Sequence, residues 1–208
     1  MSGRIRSLWK RATLRRTRYG DRHRAFRLLY AISDPWQMAA APETHRFEQT
    51  NRIIEEEIGR SRTLLEIGCG EGHQTAHLVK IADAVHGVDV SRIAVTRARA
   101  AVPNATFGVA DLLNCPRIPG GGKYDLVVAC EVLYYLQDVE AAIAALNTLG
   151  RRCLVTYFQG EVPRLDVFLL RIPDVRSRLI ERDGTTWKVA WWDAALAGSS
   201  PNREVSPS

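Results

Sequence analysis

The chain has 208 residues, of which 46% are apolar and 25% charged, so its composition excludes an intrinsically disordered protein and favours one globular domain. The net charge is +6, but residues 1–27 alone carry ten basic side chains and one acid, or +9, which leaves −3 for the rest. The folded body is therefore mildly acidic, which argues against a general polyanion-binding domain. No apolar run reaches the roughly 18 residues of a membrane span, and the arginine-rich start lacks the apolar core of a secretory signal. The four cysteines match no metal-ligand spacing, so we expect a cytoplasmic protein without a metal site.

Residues 1–27 are predicted to form a basic N-terminal arm, in which Ile5, Leu8, Trp9 and Leu14 have the loose spacing of a short amphipathic helix. The arm can be a solvated tail, a surface that adheres to anionic membranes or nucleic acid, or an organelle transit peptide. Residues 28–60 are predicted to form a helical lid ahead of the main domain, with a helix at 43–59.

From residue 61 the pattern alternates between strands and helices, which predicts parallel crossovers in a doubly wound sheet. Strands are predicted at 63–67, 84–90, 105–110, 124–129 and 152–158, and helices at 73–82, 91–101 and 139–149. Asp183-Gly184 separates two further strands, 175–182 and 185–192, and Asp-Gly is typical of a tight hairpin. We therefore expect an α/β domain over residues 61–196, with a seven-stranded, mostly parallel sheet and a C-terminal antiparallel hairpin. Residues 197–208 are expected to be a disordered tail.

The segment Glu66-x-Gly68-x-Gly70-x-Gly72 joins the first predicted strand to a helix, where a doubly wound sheet binds nucleotide-like ligands. The dinucleotide fingerprint requires a third glycine five positions after the first, and that position here is His73. Glu66 would repel a diphosphate but attract a cation, and Asp89, at the end of the second strand, can hold ribose hydroxyls. A ligand that has a ribose and a positive charge but no phosphate is therefore expected, and S-adenosylmethionine is such a ligand. Asp89 can alternatively cap the next helix, as can Ser91.

These motifs, together with Asp89-Val90-Ser91, Ala110-Asp111-Leu112 and Tyr124-Asp125-Leu126-Val127-Val128, resemble the ordered motifs of class I S-adenosylmethionine-dependent methyltransferases. Within that superfamily, Asp34-Pro35-Trp36 and the segment from Cys130 to Leu136 resemble the nodulation protein S group. The resemblance implies a Rossmann-like methyltransferase fold and a small-molecule acceptor, with N-methylation of an amine or amino sugar favoured.

The resemblance also implies site roles, residue by residue. Glu66, Gly68, Cys69 and Gly70 would line the methionine part of the cofactor, Asp89 and Val90 its ribose and adenine ring, and Asp111 and Leu112 the adenine edge. Cys130 and Glu131 would lie near the sulfonium and the substrate entrance.

Methyl transfer needs mainly in-line positioning and exclusion of water, so no catalytic signature is expected. Glu131 is the candidate catalytic residue, either as the base for an amine or as an anchor for a cationic substrate, although it can instead be a cofactor contact. Tyr30, Trp36, Tyr134 and Tyr135 are predicted to line the acceptor pocket, with packing of the sheet as the alternative. An RNA methyltransferase that uses the basic arm, and a cofactor-binding protein without catalysis, remain the competing functions.

Overall fold

The computed structural model describes residues 26, 28–115, 117–118 and 122–194. The predicted arm, apart from Phe26, and the predicted C-terminal tail lie outside the described residues, as does the amphipathic pattern from Ile5 to Leu14. Among the described residues, no helix is both long and apolar enough to cross a membrane.

Seven strands form one sheet in the described part of the chain, with the order β3-β2-β1-β4-β5-β7-β6. Their bounds are β1 Ser61–Ile67, β2 Ala82–Asp89, β3 Thr106–Val109, β4 Tyr124–Cys130, β5 Gly150–Phe158, β6 Arg176–Arg182 and β7 Thr185–Asp193. Strands β1 to β5 pair in parallel, whereas β7 is antiparallel to both β5 and β6. The predicted seven-stranded, mostly parallel sheet with a C-terminal hairpin is confirmed.

The chain order reverses at β1, because β2 and β3 lie on one side of it and β4 and β5 on the other. The carboxyl ends of β1 and β4 are therefore neighbours at a topological switch point, where open α/β sheets bind ligands. This places the glycine loop after β1 beside the segment that follows Cys130.

The helices that accompany the sheet are α1 Ala41–Glu57, α2 Thr75–Leu78, α3 Arg92–Ala101, α4 Val139–Leu149 and α5 Val162–Leu169, with short 3₁₀ turns at Leu133–Tyr135 and Gln159–Glu161. Ser91 caps α3, since its hydroxyl accepts the N–H of Ala94 at 3.3 Å. The helix predicted at 73–82 is wrong in length. Only Thr75–Leu78 is α-helical. The N–H groups of Lys80 and Ile81 bond three residues back, to His77 and Leu78, and the chain then enters β2 at Ala82.

The turn between β6 and β7 takes the conformation that its sequence predicts. Asp183 and Gly184 have φ angles of 49° and 76°, as a two-residue hairpin of this type requires. Strand β7 then runs through the core, where Trp187, Trp191 and Trp192 are each at most 3% exposed. The hairpin thus extends the sheet beyond β5 and brings the start of β7 to a cavity at the carboxyl ends of the parallel strands.

Candidate functional site

A cavity of about 740 Å³ opens at the carboxyl ends of the parallel strands and is covered by residues 28–40, here called the lid segment. All fourteen residues predicted for the site line this cavity. They are Tyr30, Trp36, Glu66, Gly68, Cys69, Gly70, Asp89, Val90, Asp111, Leu112, Cys130, Glu131, Tyr134 and Tyr135. The tertiary structure thus brings together residues from the lid segment, four strand ends and the 3₁₀ turn after β4.

The glycine loop after β1 leaves no room for side chains at two of its positions. Gly68 and Gly70 have φ angles of 73° and 54°, in the left-handed region that favours glycine. A Cβ atom on Gly68 would lie 2.5 Å from Val132, and one on Gly70 would lie 2.9 Å from the Tyr30 hydroxyl. The close approach that requires glycine therefore comes from the protein's own side chains on two sides of the cavity.

Asp89 connects the end of β2 to the glycine loop. One carboxylate oxygen accepts the N–H of Gly70 at 3.0 Å, and the other accepts the N–H of Ser91 at 2.8 Å. Burial raises the pKa of Asp89 to about 6, and these two hydrogen bonds oppose the rise. Each oxygen keeps a second lone pair, so Asp89 can still accept hydroxyl groups of a ligand in the cavity.

Glu66 is a second buried acid, 3% exposed, at the second-to-last residue of β1 before the loop. Its carboxylate accepts the hydroxyl of Thr75 at 2.5 Å, and the positive charge of Arg46 favours its ionised form. Burial outweighs both contacts and raises the pKa of Glu66 to about 7. The side chain is thus poised between its neutral and charged forms near neutral pH.

Asp111 and Leu112 lie on the cavity wall after β3. Leu112 is buried, whereas Asp111 is half-buried and accepts the backbone N–H of Asn114 at 2.8 Å. The side-chain amide of Asn114 also donates to both carboxylate oxygens. Asp111 therefore holds its own turn while its carboxylate faces the cavity.

Glu131 follows β4 with a φ angle of 59°, an uncommon backbone conformation for a residue with a side chain. Its two carboxylate oxygens accept hydrogen bonds from the hydroxyl groups of Thr156 and Tyr134, each at 3.0 Å. Burial raises the pKa of Glu131, while the charge of Arg46 and the two hydrogen bonds act in the opposite direction. The Glu131 carboxylate is thus held by hydrogen bonds on both oxygens at the cavity that it lines.

Arg46, on α1, is a site residue that the sequence analysis missed. It is 1% exposed, it lines the cavity, and it forms an ion pair with Glu43 at 2.8 Å. Its Nη1 atom donates to Gln74 at 3.2 Å and to Thr156 at 3.3 Å. Gln74 in turn donates to the sulfur of Cys130 at 3.2 Å, so a buried polar network connects α1 to the ends of β4 and β5.

Aromatic side chains form one wall of the cavity. Tyr135 packs against Trp36 at 5.5 Å and against Tyr134 at 4.5 Å between ring centroids. Phe158, also missed by the sequence analysis, meets Tyr134 edge-on at 5.8 Å. Tyr30 is 6% exposed and shares a hydrogen bond with Trp36, so the lid segment is ordered by packing against the site.

Three polar residues, Asp34, Glu71 and Arg97, here called the latch, join the lid segment to the glycine loop. Glu71 accepts the N–H of Asp34 at 2.8 Å and pairs with Arg97 at 2.5 Å, and Arg97 also donates to the carbonyls of Tyr30 and Ile32. The side chains of Asp34, Glu71 and His73 come within 4.8 Å of one another, a spacing that could accommodate a metal ion. The four carboxylate oxygens of Asp34 and Glu71 already accept hydrogen bonds from N–H groups of the protein. The cluster therefore holds the lid segment in place.

Comparison with known proteins places this architecture among methyltransferases. The family model of nodulation protein S (NodS) matches residues 20–155. Nodulation protein S of Bradyrhizobium diazoefficiens is 30% identical over 132 residues, which cover 62% of this chain and 62% of that protein. The matched region thus spans less than two thirds of that relative's own length.

Among the solved structures that share the fold are two methyltransferases. The N-methyltransferase NodS of Bradyrhizobium japonicum, in complex with S-adenosylhomocysteine, superposes with a TM-score of 0.68 at 20% identity and covers 82% of this chain and 97% of its own. Magnesium protoporphyrin IX methyltransferase of Synechocystis, with bound S-adenosylmethionine, has a TM-score of 0.59 at 16% identity and covers 77% of this chain and 83% of its own. At these identities the superpositions establish the common fold.

Proposed function

The chain belongs to the nodulation protein S family, and on that premise we propose that it is an S-adenosylmethionine-dependent methyltransferase acting on a small-molecule amine. The observation that carries the proposal is the common cavity of the glycine loop, Asp89 and Glu131. A cytoplasmic location is part of the same proposal, because the four cysteines are free thiols.

The residues at the glycine-loop end of the cavity fit the chemistry of this cofactor. Glu66 and Asp89 are buried acids that suit a ligand with positive charge and vicinal hydroxyls, and neither is compatible with a diphosphate beside it. When bound, S-adenosylmethionine supplies a methyl group on a positively charged sulfur. A nucleophile can attack the methyl carbon, and the sulfur then leaves as a neutral thioether. Gly68, Cys69 and Gly70 would form its floor, and Asp111 and Leu112 would line its far end.

Glu131 supports an amine as the acceptor. An amine must be neutral to attack a methyl group, and a carboxylate in reach of it can take up the proton. The raised pKa of Glu131, caused by burial, makes this carboxylate a better proton acceptor than an exposed glutamate. The same negative charge attracts the ammonium form before the proton is lost.

The aromatic wall would position the acceptor and exclude water. Tyr30 and Trp36 line the cavity from the lid segment, and Tyr134 and Tyr135 line it from the 3₁₀ turn after β4. Such side chains pack against apolar parts of an acceptor and attract ammonium groups through their ring faces. Exclusion of water strengthens the attraction between Glu131 and a cationic substrate.

The test begins with calorimetric titration of the protein with S-adenosylmethionine, followed by a methyl-transfer assay on amino sugars, polyamines, carboxylic acids and RNA. We expect transfer to an amine, and we expect Glu131→Gln to lower kcat by about 100-fold or more. Glu140→Gln, at a side chain that is 73% exposed, is the matched control and should keep full activity. Binding without transfer to any member of the panel, or transfer to RNA or carboxylates alone, would contradict the proposal.

A further inference from the structure

Thr156 lies behind the cavity wall and contacts Glu131 twice. It is 0% exposed and sits on β5 opposite Cys130 in the register of β4 with β5. Its carbonyl accepts the N–H of Glu131 at 2.9 Å, and its hydroxyl lies 3.0 Å from the Glu131 carboxylate. Thr156 therefore holds both the backbone and the side chain of a residue with a left-handed φ angle of 59°.

The direction of the hydrogen bonds around Thr156 follows from the chemistry of its partners. A guanidinium can only donate, and an ionised carboxylate can only accept. The Thr156 hydroxyl must therefore accept from Arg46 Nη1, at 3.3 Å, and donate its single proton to Glu131. The result is a directional chain from a buried cation, through a neutral hydroxyl, to the candidate base.

We propose that Thr156 is a positioning residue, which fixes the Glu131 carboxylate toward the cavity and couples it to Arg46. This inference rests on the proposed function of Glu131 and goes beyond it, since Thr156 does not line the cavity and would act through Glu131. The hydroxyl sets the orientation of the base and favours its ionised form.

The charges around Glu131 come from several elements. Arg46 and Glu43 face it from α1, Tyr134 faces it from the 3₁₀ turn, and Cys130 precedes it on β4. Burial raises the pKa of Glu131, and among the opposing groups Arg46 acts most strongly, before Tyr134 and Thr156. Loss of the Thr156 hydroxyl removes one of these contacts directly and deprives Arg46 of its link to the carboxylate, so the pKa of Glu131 rises further.

The test is a carbon-13 NMR titration of the full chain labelled at its glutamate carboxyl groups. The Glu131 signal is identified as the one absent from Glu131→Gln. We expect Thr156→Val, which keeps the shape of the side chain, to raise the pKa of Glu131 by about one unit, and Thr156→Ser, which keeps the hydroxyl, to leave it near the wild-type value. If the valine variant does not fold, Thr156→Ala takes its place. Binding of S-adenosylhomocysteine serves as the control for an intact site.

The outcomes separate this inference from the proposed function. Equal titration of Glu131 in wild type, Thr156→Val and Thr156→Ser overturns the role of Thr156, whatever the activity of Glu131→Gln. An upward shift in the valine or alanine variant that serine reverses supports it, even if Glu131→Gln retains methyl transfer and thereby refutes the proposed base. A shift of equal size in the serine variant also overturns the inference, because packing and not the hydroxyl would then be responsible.

Discussion

The carboxylate of Asp89 and the backbone amide of Gly70, both in the lining of the cavity, are joined by a hydrogen bond of 3.0 Å. The bond ties the carboxyl end of β2 to the glycine loop after β1, and the same carboxylate also accepts the N–H of Ser91. One side chain thereby holds the glycine loop and also lines the cavity.

Replacement of Asp89 by alanine is therefore expected to have two effects. Binding of S-adenosylhomocysteine should weaken by about 10- to 100-fold, because hydrogen bonds to a charged group contribute about 1.5–3 kcal/mol. The free energy of unfolding should also fall by about 1–3 kcal/mol, because the N–H groups of Gly70 and Ser91 lose their partner. Calorimetry and denaturant unfolding measure the two effects. Asp83→Ala, at an exposed acid of the same strand, is the control, and unchanged affinity in Asp89→Ala would remove Asp89 from the binding site.

Gly70→Ala tests whether the shape of the loop matters for binding. A Cβ atom at Gly70 would lie 2.9 Å from the Tyr30 hydroxyl, whereas one at Gly184, also in the left-handed region, meets nothing within 4 Å. Both substitutions should cost about 1–2 kcal/mol of stability through the backbone conformation. We expect only Gly70→Ala to weaken the binding of S-adenosylhomocysteine, by about tenfold or more. Equal affinities of the two variants would show that the loop tolerates displacement of Tyr30.

Binding of the cofactor should release a proton from Glu66. Burial raises the pKa of this carboxyl to about 7, so about half of the free protein carries it protonated at neutral pH. A positively charged ligand nearby favours the ionised form and lowers the pKa. Titration calorimetry with S-adenosylmethionine at about pH 7 should therefore give apparent enthalpies that depend on the ionisation enthalpy of the buffer. Glu66→Gln should reduce this dependence to the smaller part that Asp89, with a pKa of about 6, can contribute, and a buffer-independent enthalpy in the wild type would contradict the assignment.

The same group predicts how the stability of the free protein depends on pH. The pKa of Glu66 is higher in the folded state than its ordinary value of 4.5. The contribution of this shift to the free energy of unfolding is therefore fully present below about pH 4.5 and is lost as the pH rises through about 7. Thermal unfolding between about pH 5 and 8 should show a decline that is smaller in Glu66→Gln. Parallel curves for the two proteins would mean that Glu66 ionises normally.

Loss of the latch should loosen the lid segment without unfolding the domain. Glu71→Ala removes the acceptor of the Asp34 amide and the partner of Arg97, which holds two carbonyls of the lid. Hydrogen exchange of residues 28–40 should become about tenfold faster or more, while the central strands keep their protection. Glu56→Ala, which breaks exposed ion pairs with Arg52 on α1 and Arg178 on β6, is the control. Unchanged exchange in Glu71→Ala would show that aromatic packing alone orders the lid.

The position of the site could be predicted because its residues follow strand ends. Asp89 ends a strand with a clear apolar pattern, and the glycine loop, Asp111 and Glu131 each follow one. The carboxyl ends of parallel strands meet at one edge of the sheet. All of these residues line the same cavity. Their individual roles toward cofactor and acceptor stay predictions.

Arg46 and Thr156 could not be found in this way. They are 110 positions apart in the chain and meet only because α1 packs on the face of the sheet that carries the side chain of Thr156. An arginine in an amphipathic helix normally faces solvent, so its sequence context contains no sign of burial. The latch between Glu71, Asp34 and Arg97 likewise joins three segments whose proximity no local pattern reveals.

The sequence by itself determined the seven strands and four of the five described helices in their chain order, the hairpin at Asp183-Gly184 and the position of the glycine loop, since these depend on periodicity and on the conformations that neighbouring residues allow. Helix α5, Val162–Leu169, was not predicted. The tertiary structure alone decided which buried charges face each other, how far the helix after the loop extends and which side chains lie behind Glu131. The physical reason is that burial and hydrogen bonding between distant segments depend on packing in three dimensions, whereas backbone preferences act over a few residues.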